Sequence, residues 1–242
     1  MGSVPVTILF AGDTHGDQRW LGRVVSRVRP SAIVHVGDIQ LESPAEHSLR
    51  DVLALTRFLW VPGNHDFDSL DYYDRLQSPV LLPGALHGKV LEVDGLRLAG
   101  LGGWFQGRAW YPPLPPLGSP SLRRLRELDS DSRSLRLGSV RARGAIWWED
   151  YQRLWDLRAD VLVCHVAPSC HRHGFQAIDD LAQAMGVSRI YHGHHHQTYR
   201  AELPNGIEVF GVGLRAIVDL AGNVVHAGDG AGTPMPGPEG LQ

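Results

Sequence analysis

Eight polar residues stand just after short apolar runs of this chain: Asp13 and His15, Asp38, Asn64 and His65, His165, and His194 and His196. The last two belong to "YHGHHHQT", which packs four histidines, at 192, 194, 195 and 196, into five positions. Seven oxygen and nitrogen ligands with no thiolate among them suit borderline or hard divalent ions such as Mn, Fe or Zn. Seven is too many for one tetrahedral zinc and fits two ions that share a carboxylate. Two ions about 3.5–4 Å apart clamp both the attacking and the leaving oxygen of an in-line phosphoryl displacement. Asp13 and His15 are spaced i, i+2 at the end of an extended segment, where alternate side chains share one side. His194 and His196 repeat that spacing, so His195 is expected to point away toward the adjoining surface. His192, ahead of Gly193, is expected to pack or to support its neighbours. Each residue alone has an ordinary reading, since Asp beside Gly and "PGNHD" both serve as turns. The inference rests on all of them occurring together, each at the end of an expected strand.

The elements that must position these residues are legible in the pattern. Residues 4–12, 31–38 and 57–66 read as buried strands, separated by helices over 18–28 and 45–56. That β-α-β-α-β punctuation is the signature of a largely parallel sheet flanked by helices. In open α/β sheets, ligands collect at the carboxyl ends of the strands. Residues 88–103 read as a hairpin turning at Asp94-Gly95. Further on, a helix near 146–158, a strand over 160–168, a helix over 175–186 and a strand at 189–191 lead into "HGHHH". Segments 198–203, 207–212, 214–220 and 223–226 read as antiparallel strands. The domain is expected over 1–227, with an insertion or lid at about 104–145 and a tail of linker composition over 228–242.

Composition bounds the function. A length of 242 residues suits one domain with a full core. A net charge of -3 offers no global attraction to nucleic acid or anionic lipid. The chain has 22 arginines and one lysine, Lys89, which reads as codon bias, although arginine is well suited to phosphate recognition. Two cysteines, Cys164 and Cys170, are too few for a disulfide framework and fit a reducing compartment. The N-terminus has no signal-peptide pattern, and no apolar run approaches the ~18 residues of a membrane span. The cytoplasm is the expected location, with no membrane partner, and the sequence leaves the oligomeric state open.

The motifs "GDTHG" (12–16), "GD" (37–38), "GNHD" (63–66), "CHVAP" (164–168) and "GHHH" (193–196) resemble the series that marks the calcineurin-like metallophosphoesterases. The resemblance spans residues 6 to about 220, apart from 104–145. It implies an α/β fold, a four-layer α/β/β/α sandwich with an insertion, and a dinuclear metal site, for which Mn is the expected ion and Fe or Zn are alternatives. By position, Asp13, His15, Asp38 and His196 would hold the first ion, and Asn64, His165 and His194 the second, with Asp38 bridging. The implied nucleophile is a metal-bridging hydroxide acting on a phosphate-ester substrate. His65 would then contact the phosphoryl oxygen or protonate the leaving group, a role suited to a side chain that titrates near neutrality. Asp66 is the expected orienting partner of His65.

One departure is informative. The protein serine/threonine phosphatases, and the diadenosine-tetraphosphate hydrolases like them, extend the second motif to G-D-x-x-D-R-G, whereas this chain reads "GDIQLES", with Leu41 and Glu42 in place of Asp and Arg. Missing the phosphate-gripping arginine tilts the expectation toward a phosphodiester over a phosphomonoester. A nuclease of the same fold is an alternative, because residues 119–145 carry seven arginines against three acidic residues. The interleaved leucines there favour a solvated amphipathic segment, so nucleic acid is not the favoured partner. A non-catalytic binding module is the rival from another class, and the intact ligand set argues against it. His171, Arg172 and His173, in the loop after the fourth motif, are candidate contacts for substrate phosphate, the last two above all. Trp104, Phe105, Trp110 and Tyr111 are candidates either for stacking a nucleobase or for packing the insertion. His35 is expected in the core, and His47 and His87 at the surface.

Overall fold

The computed structural model describes residues 7–107, 109–116 and 140–229. Alternation within its short apolar runs sorts side chains onto opposite faces. In β1 (Ile8–Ala11), Ile8 and Phe10 enter one core while Leu9 and Ala11 enter another. In β6 (Val161–Cys164), Val161 and Val163 join Ile8 and Phe10, whereas Leu162 and Cys164 face a third core. Strands buried on both faces require covering on both sides, and two sheets stacked between helices supply it.

The first sheet has the order β11-β10-β1-β2-β3. Strands β1, β2 (Ala32–His35) and β3 (Arg57–Trp60) are parallel, and β10 (Ile217–Asp219) runs antiparallel beside β1, followed by β11 (Val224–His226). The second sheet has the order β4-β5-β6-β7-β9-β8. Here β4 (Lys89–Val93) and β5 (Leu96–Leu101) form the expected hairpin, with Asp94 and Gly95 at φ 51° and 84°. Strands β5, β6, β7 (Arg189–His192) and β9 (Glu208–Gly211) are parallel, and β8 (Tyr199–Glu202) closes the edge antiparallel to β9.

Helices α1 (Arg19–Val28), α2 (Ala45–Ser48) and α3 (Arg50–Leu55) belong to the first sheet's outer side, where Trp20, Leu21, Val25 and Val52 pack on Leu9, Ile33 and Phe58. Helices α5 (Trp148–Trp155) and α6 (Gln176–Met185) cover the second sheet, through Tyr151, Leu154, Ile178 and Leu181 on Leu162 and Ile190. Between the sheets lie Val34 and Leu59 against Val163 and Phe210, with the Phe10 and Tyr191 rings stacked at 3.5 Å. Each such fully buried side chain contributes about 1.5–3 kcal/mol. The result is the α/β/β/α sandwich.

Four expectations need correction. Strand β9 is not purely antiparallel, because it pairs parallel to β7 as well as antiparallel to β8. The helix expected over 45–56 is two helices, broken at Leu49, whose φ/ψ of -115°/15° is not helical. Helix α4 (Leu70–Leu76) is an addition to the expected elements; the Ser69 hydroxyl caps it, accepting from the Tyr72 N–H at 3.0 Å. His87 is only partly at the surface: its Nδ1 accepts from the Gly102 N–H at 3.1 Å and its Nε2 lies 3.3 Å from Asp150.

The ends of the 104–145 segment are sewn together, the Trp104 N–H donating to Gly144 O and the Ile146 N–H to Trp104 O. Phe105 and Trp110 are buried against Phe175, Trp148 and Tyr151, so they pack this segment onto the second sheet. Most of the arginine-rich stretch and nearly all of the tail lie outside the described residues. Among the described residues no helix is long and apolar enough to cross a membrane.

Candidate active site

The carboxyl ends of β1, β2, β3, β6 and β7 meet along one edge of the sandwich, so residues from both sheets converge there. Strand parity is not what brings them together. Strand β1 ends at Ala11 and β7 at His192, and the site residues occupy the turns beyond. His15, Asp38, Gln40, His194 and His196 all have positive φ, between 44° and 71°. Non-glycine residues rarely adopt that conformation, and they hold it where surrounding structure over-determines it, often at functional sites.

Two clusters result. Asp13, His15 and His196 form one, and Asp38, His165 and His194 the other; within each, one ligand-type atom per residue lies within 4.8 Å of the others. Asp38 faces both, with Oδ2 3.4 Å from His165 Nε2 and 4.0 Å from His15 Nε2. Asn64 joins the second cluster, its Oδ1 3.0 Å from His165 Nε2.

Hydrogen bonds outside the clusters set the tautomers. His165 Nδ1 donates to the Val36 carbonyl at 3.0 Å, and His15 Nδ1 donates to Gln40 Oε1 at 2.5 Å. Each turns Nε2 inward as the nitrogen that can take a metal or, without one, a second proton, the usual way a metal-binding imidazole is oriented. His165 Nε2 then faces Asp38, Asn64 Oδ1 and, at 3.2 Å, His194 Nδ1. His15 Nε2 faces His196 Nε2 at 3.0 Å, which in turn lies 3.2 Å from Asp13 Oδ2. Nitrogen and oxygen donors gathered this closely need positive charge among them, as protons or as cations, so the donor set fits two divalent ions.

The electrostatics agree. Asp13 and Asp38 are almost wholly buried, at 0% and 1% exposure, although burial alone disfavours a carboxylate. Burial opposes the charge of Asp38, but His165 and the His65 N–H hold it well below the usual carboxylate range. Burial likewise works against a proton on His165, yet Asp38 and then Asp13 hold it up to about 9. Burial and the neighbouring His165 bring His194 down to about 4, while the hydrogen bond to Asp13 raises His196. The pocket is built to attract positive charge.

The structure separates the four histidines of the opening stretch. His194 and His196 enter the clusters. His192 is buried, bonded to the Tyr199 hydroxyl at 2.6 Å. His195 turns away from the clusters, but into the neighbouring loop instead of the open surface, stacking on His171 at 3.9 Å. His173 lies beside it at 5.8 Å, and Arg172 is exposed in the same loop. His35 is buried, facing Thr14 Oγ1 at 3.2 Å and accepting from the Gly37 N–H.

His65 sits at the rim, half-exposed, its ring 5.3 Å from that of His15. Its orienting partner is not Asp66. The buried Asp66 carboxylate accepts from the backbone N–H groups of Gln40 at 2.7 Å and Gly63 at 2.8 Å, tying the second motif to the third. Burial and the nearby charge of Asp38 push Asp66 up to about 7. The partner of His65 is Asp68, whose Oδ2 lies 2.6 Å from Nδ1, with Arg141 3.6 Å from its other oxygen. Residues 65–67 form a 3-10 turn, and i and i+3 eclipse in that geometry. The "HDFD" spacing is the available signal for Asp68; Gln40 has none, because its role depends on a positive φ of 49°.

The comparisons with known proteins agree with this architecture. A family model described as calcineurin-like phosphoesterase matches residues 6–198. An uncharacterized protein of Haemophilus influenzae is 37% identical over 221 residues, covering 89% of this chain and 95% of that protein. Among solved structures, a Thermus thermophilus protein, TT1561, superposes with a TM-score of 0.54 at 18% identity, covering 90% of this chain and 96% of its own. A dimetal phosphatase from Danio rerio superposes with a TM-score of 0.50 at 16% identity, covering 87% and 91%. At those identities the structural likeness is one of fold.

Proposed function

The chain belongs to the calcineurin-like phosphoesterase family, and from that premise we propose that it hydrolyses a phosphodiester by direct attack of water at a dinuclear metal centre. Asp13, His15, Asp38 and His196 would hold one ion, and Asn64, His165 and His194 the other, with Asp38 shared. The observation that carries this reading is the meeting of two donor clusters at a single buried carboxylate, Asp38. Divalent ions, when bound, would acidify water near neutral pH and neutralise charge on the phosphoryl group. Mn is the expected ion, with Fe or Zn as alternatives.

The chain's own residues do the rest. Gln40 and the Val36 carbonyl hold His15 and His165 in the tautomer that turns Nε2 inward. Asp68 holds the Nδ1 proton of His65, so Nε2 is the only ring nitrogen left to meet substrate. From the rim, His65 would bond the phosphoryl oxygen or give a proton to the departing alkoxide. His173, and less closely Arg172, would lie at the edge of the bound phosphate. The complete donor set supports catalysis over a purely binding role. The catalytic unit would span residues 1–227.

A Mn-supplemented screen of phosphomonoesters, cyclic nucleotides, dinucleotides, other diesters and oligonucleotides tests the reading, with His65→Ala as control. Turnover of diesters above monoesters is expected. A steep fall of oligonucleotide cleavage with salt would support the nuclease alternative instead. Full activity in His65→Ala would remove that residue from the mechanism.

A further inference from the structure

A cleft of about 510 Å³ opens directly from His15. Asp17 and Arg19 wall one side, and Glu42, Ser43, His47 and Ser48 the other. An aromatic pocket of about 280 Å³ behind Phe67 includes neither a candidate ligand nor His65. Of these two cavities the polar cleft is the one that reaches a candidate ligand, so a phosphate held at the two clusters would extend toward it.

The charges in this cleft are not evenly compensated. Asp17 is paired with Arg19 at 3.2 Å, and the Ser43 and Ser48 hydroxyls bond each other at 2.7 Å. Glu42 is exposed and has neither an ion pair nor a hydrogen bond among the described residues. It leans over the residue next to His15: a Cβ placed on Gly16 would lie 3.0 Å from Glu42 Oε1. A carboxylate without a cation thus stands at the mouth of the reaction centre, a place where a phosphoesterase would otherwise gather positive charge.

We infer that Glu42 is a specificity-determining residue that selects monoanionic phosphodiesters over dianionic phosphomonoesters. The inference rests on the function proposed above. A monoester carries about one more negative charge than a diester near neutrality, since a second phosphate pKa lies near 6. Like charges in a partly screened cleft repel, so the penalty from Glu42 grows with the charge of the substrate. The same carboxylate accepts hydrogen bonds, so it suits a second alcohol that is hydroxyl-bearing or cationic. In the reaction, the water oxygen bonds to phosphorus, the P–O bond to the leaving alcohol breaks, and the proton leaves with that alcohol.

The test uses two substrates with one leaving group, p-nitrophenyl phosphate and methyl p-nitrophenyl phosphate, which differ by one charge. With Mn-loaded protein, the monoester-to-diester ratio of kcat/KM is expected to rise roughly five- to tenfold in Glu42→Gln and further in Glu42→Arg. The rise should shrink in ~1 M salt, because the side chain is exposed. A ratio within twofold of wild type in both variants, with wild-type turnover intact, overturns the role of Glu42. Absence of Mn-dependent turnover of either substrate by the wild type overturns the underlying functional reading instead. Glu42 is exposed, so unchanged thermal midpoints are expected and confirm that folding is not the cause.

Discussion

The Nδ1 of His65 meets the Asp68 carboxylate at 2.6 Å, and Arg141 reaches the same carboxylate from the far end of the 104–145 segment. The arrangement fixes which His65 nitrogen faces the site, so the two residues should behave as one unit. Replacing His65 by Ala is expected to lower kcat by ~10²–10⁴-fold, the usual contribution of a positioned acid or base. Asp68→Ala should lose about tenfold or more, with larger losses on poor leaving groups. The double variant should be no slower than His65→Ala alone, because groups acting together are not additive. Multiplicative losses in a kinetic cycle would show that Asp68 acts elsewhere.

Asp38 faces both donor clusters through its Oδ2. Asp38→Asn should reduce bound metal below two ions per chain by elemental analysis and depress activity by more than ~10³-fold. Chelation of the wild type should also lower its thermal midpoint. Saturation at one hundred times Kd contributes about 2.7 kcal/mol per ion. An unchanged metal content in Asp38→Asn would place the ions somewhere else.

Gly63 lies so close to Asp38 and His165 that a methyl group built on it would overlap both side chains. Gly63 carries no functional group, yet Gly63→Ala is expected to cost as much activity as loss of a ligand, and to lower metal content with it. Retention of both ions in that variant would mean that the loop can yield, contrary to its tie through the Gly63 N–H to Asp66.

Burial brings His35 down to about 4 and His192 to about 3, so both are carried uncharged in the fold. An unfolded histidine takes up a proton near 6.5. Between that value and the folded ones, the unfolded chain binds more protons, and stability must fall as pH falls. The contribution is whole above about pH 6.5 and shrinks toward pH 4, by up to ~1.4 kcal/mol per pH unit for each group. Other site groups titrate in the opposite sense, so the comparison is with His192→Gln. Urea unfolding at pH 7.5, 6 and 5 should show the wild type losing ground against the variant as acid is added. Parallel pH profiles would contradict this account.

How far the sequence reaches is instructive at particular residues. Much of the ligand set is legible because glycine marks the end of the apolar run before it, as at Gly12-Asp13, Gly37-Asp38, Gly63-Asn64 and Gly193-His194, whereas His165 follows Cys164 with no glycine between them. The i, i+2 spacing is not the cause of convergence: His15 and His196 meet through positive-φ turns, which a period-two pattern cannot see. Asp66 is the sequence neighbour of His65, but the eclipsed geometry of a 3-10 turn selects Asp68. Helix α4 is hard to read because its first turn, "SLDYYD", is mostly polar and aromatic, with only the capping serine to mark its start. The parallel pairing of β7 with β9 depends on β8 lying outside them at the edge, which local pattern does not encode.

Strand β1 is flanked on one side by β2 and on the other by β10, which arrives some two hundred residues later. The Gly12 N–H donates to Ala216 O, and the Asp13 carbonyl accepts from the Arg215 N–H. The backbone that carries Asp13 is thus clasped by a strand that follows it by some two hundred residues. A nascent chain exposes Asp13 long before residues 213–219 have emerged to clasp it. Capture of a cation by this chain should therefore wait on β10: chains stalled before it should remain metal-free however much ion surrounds them.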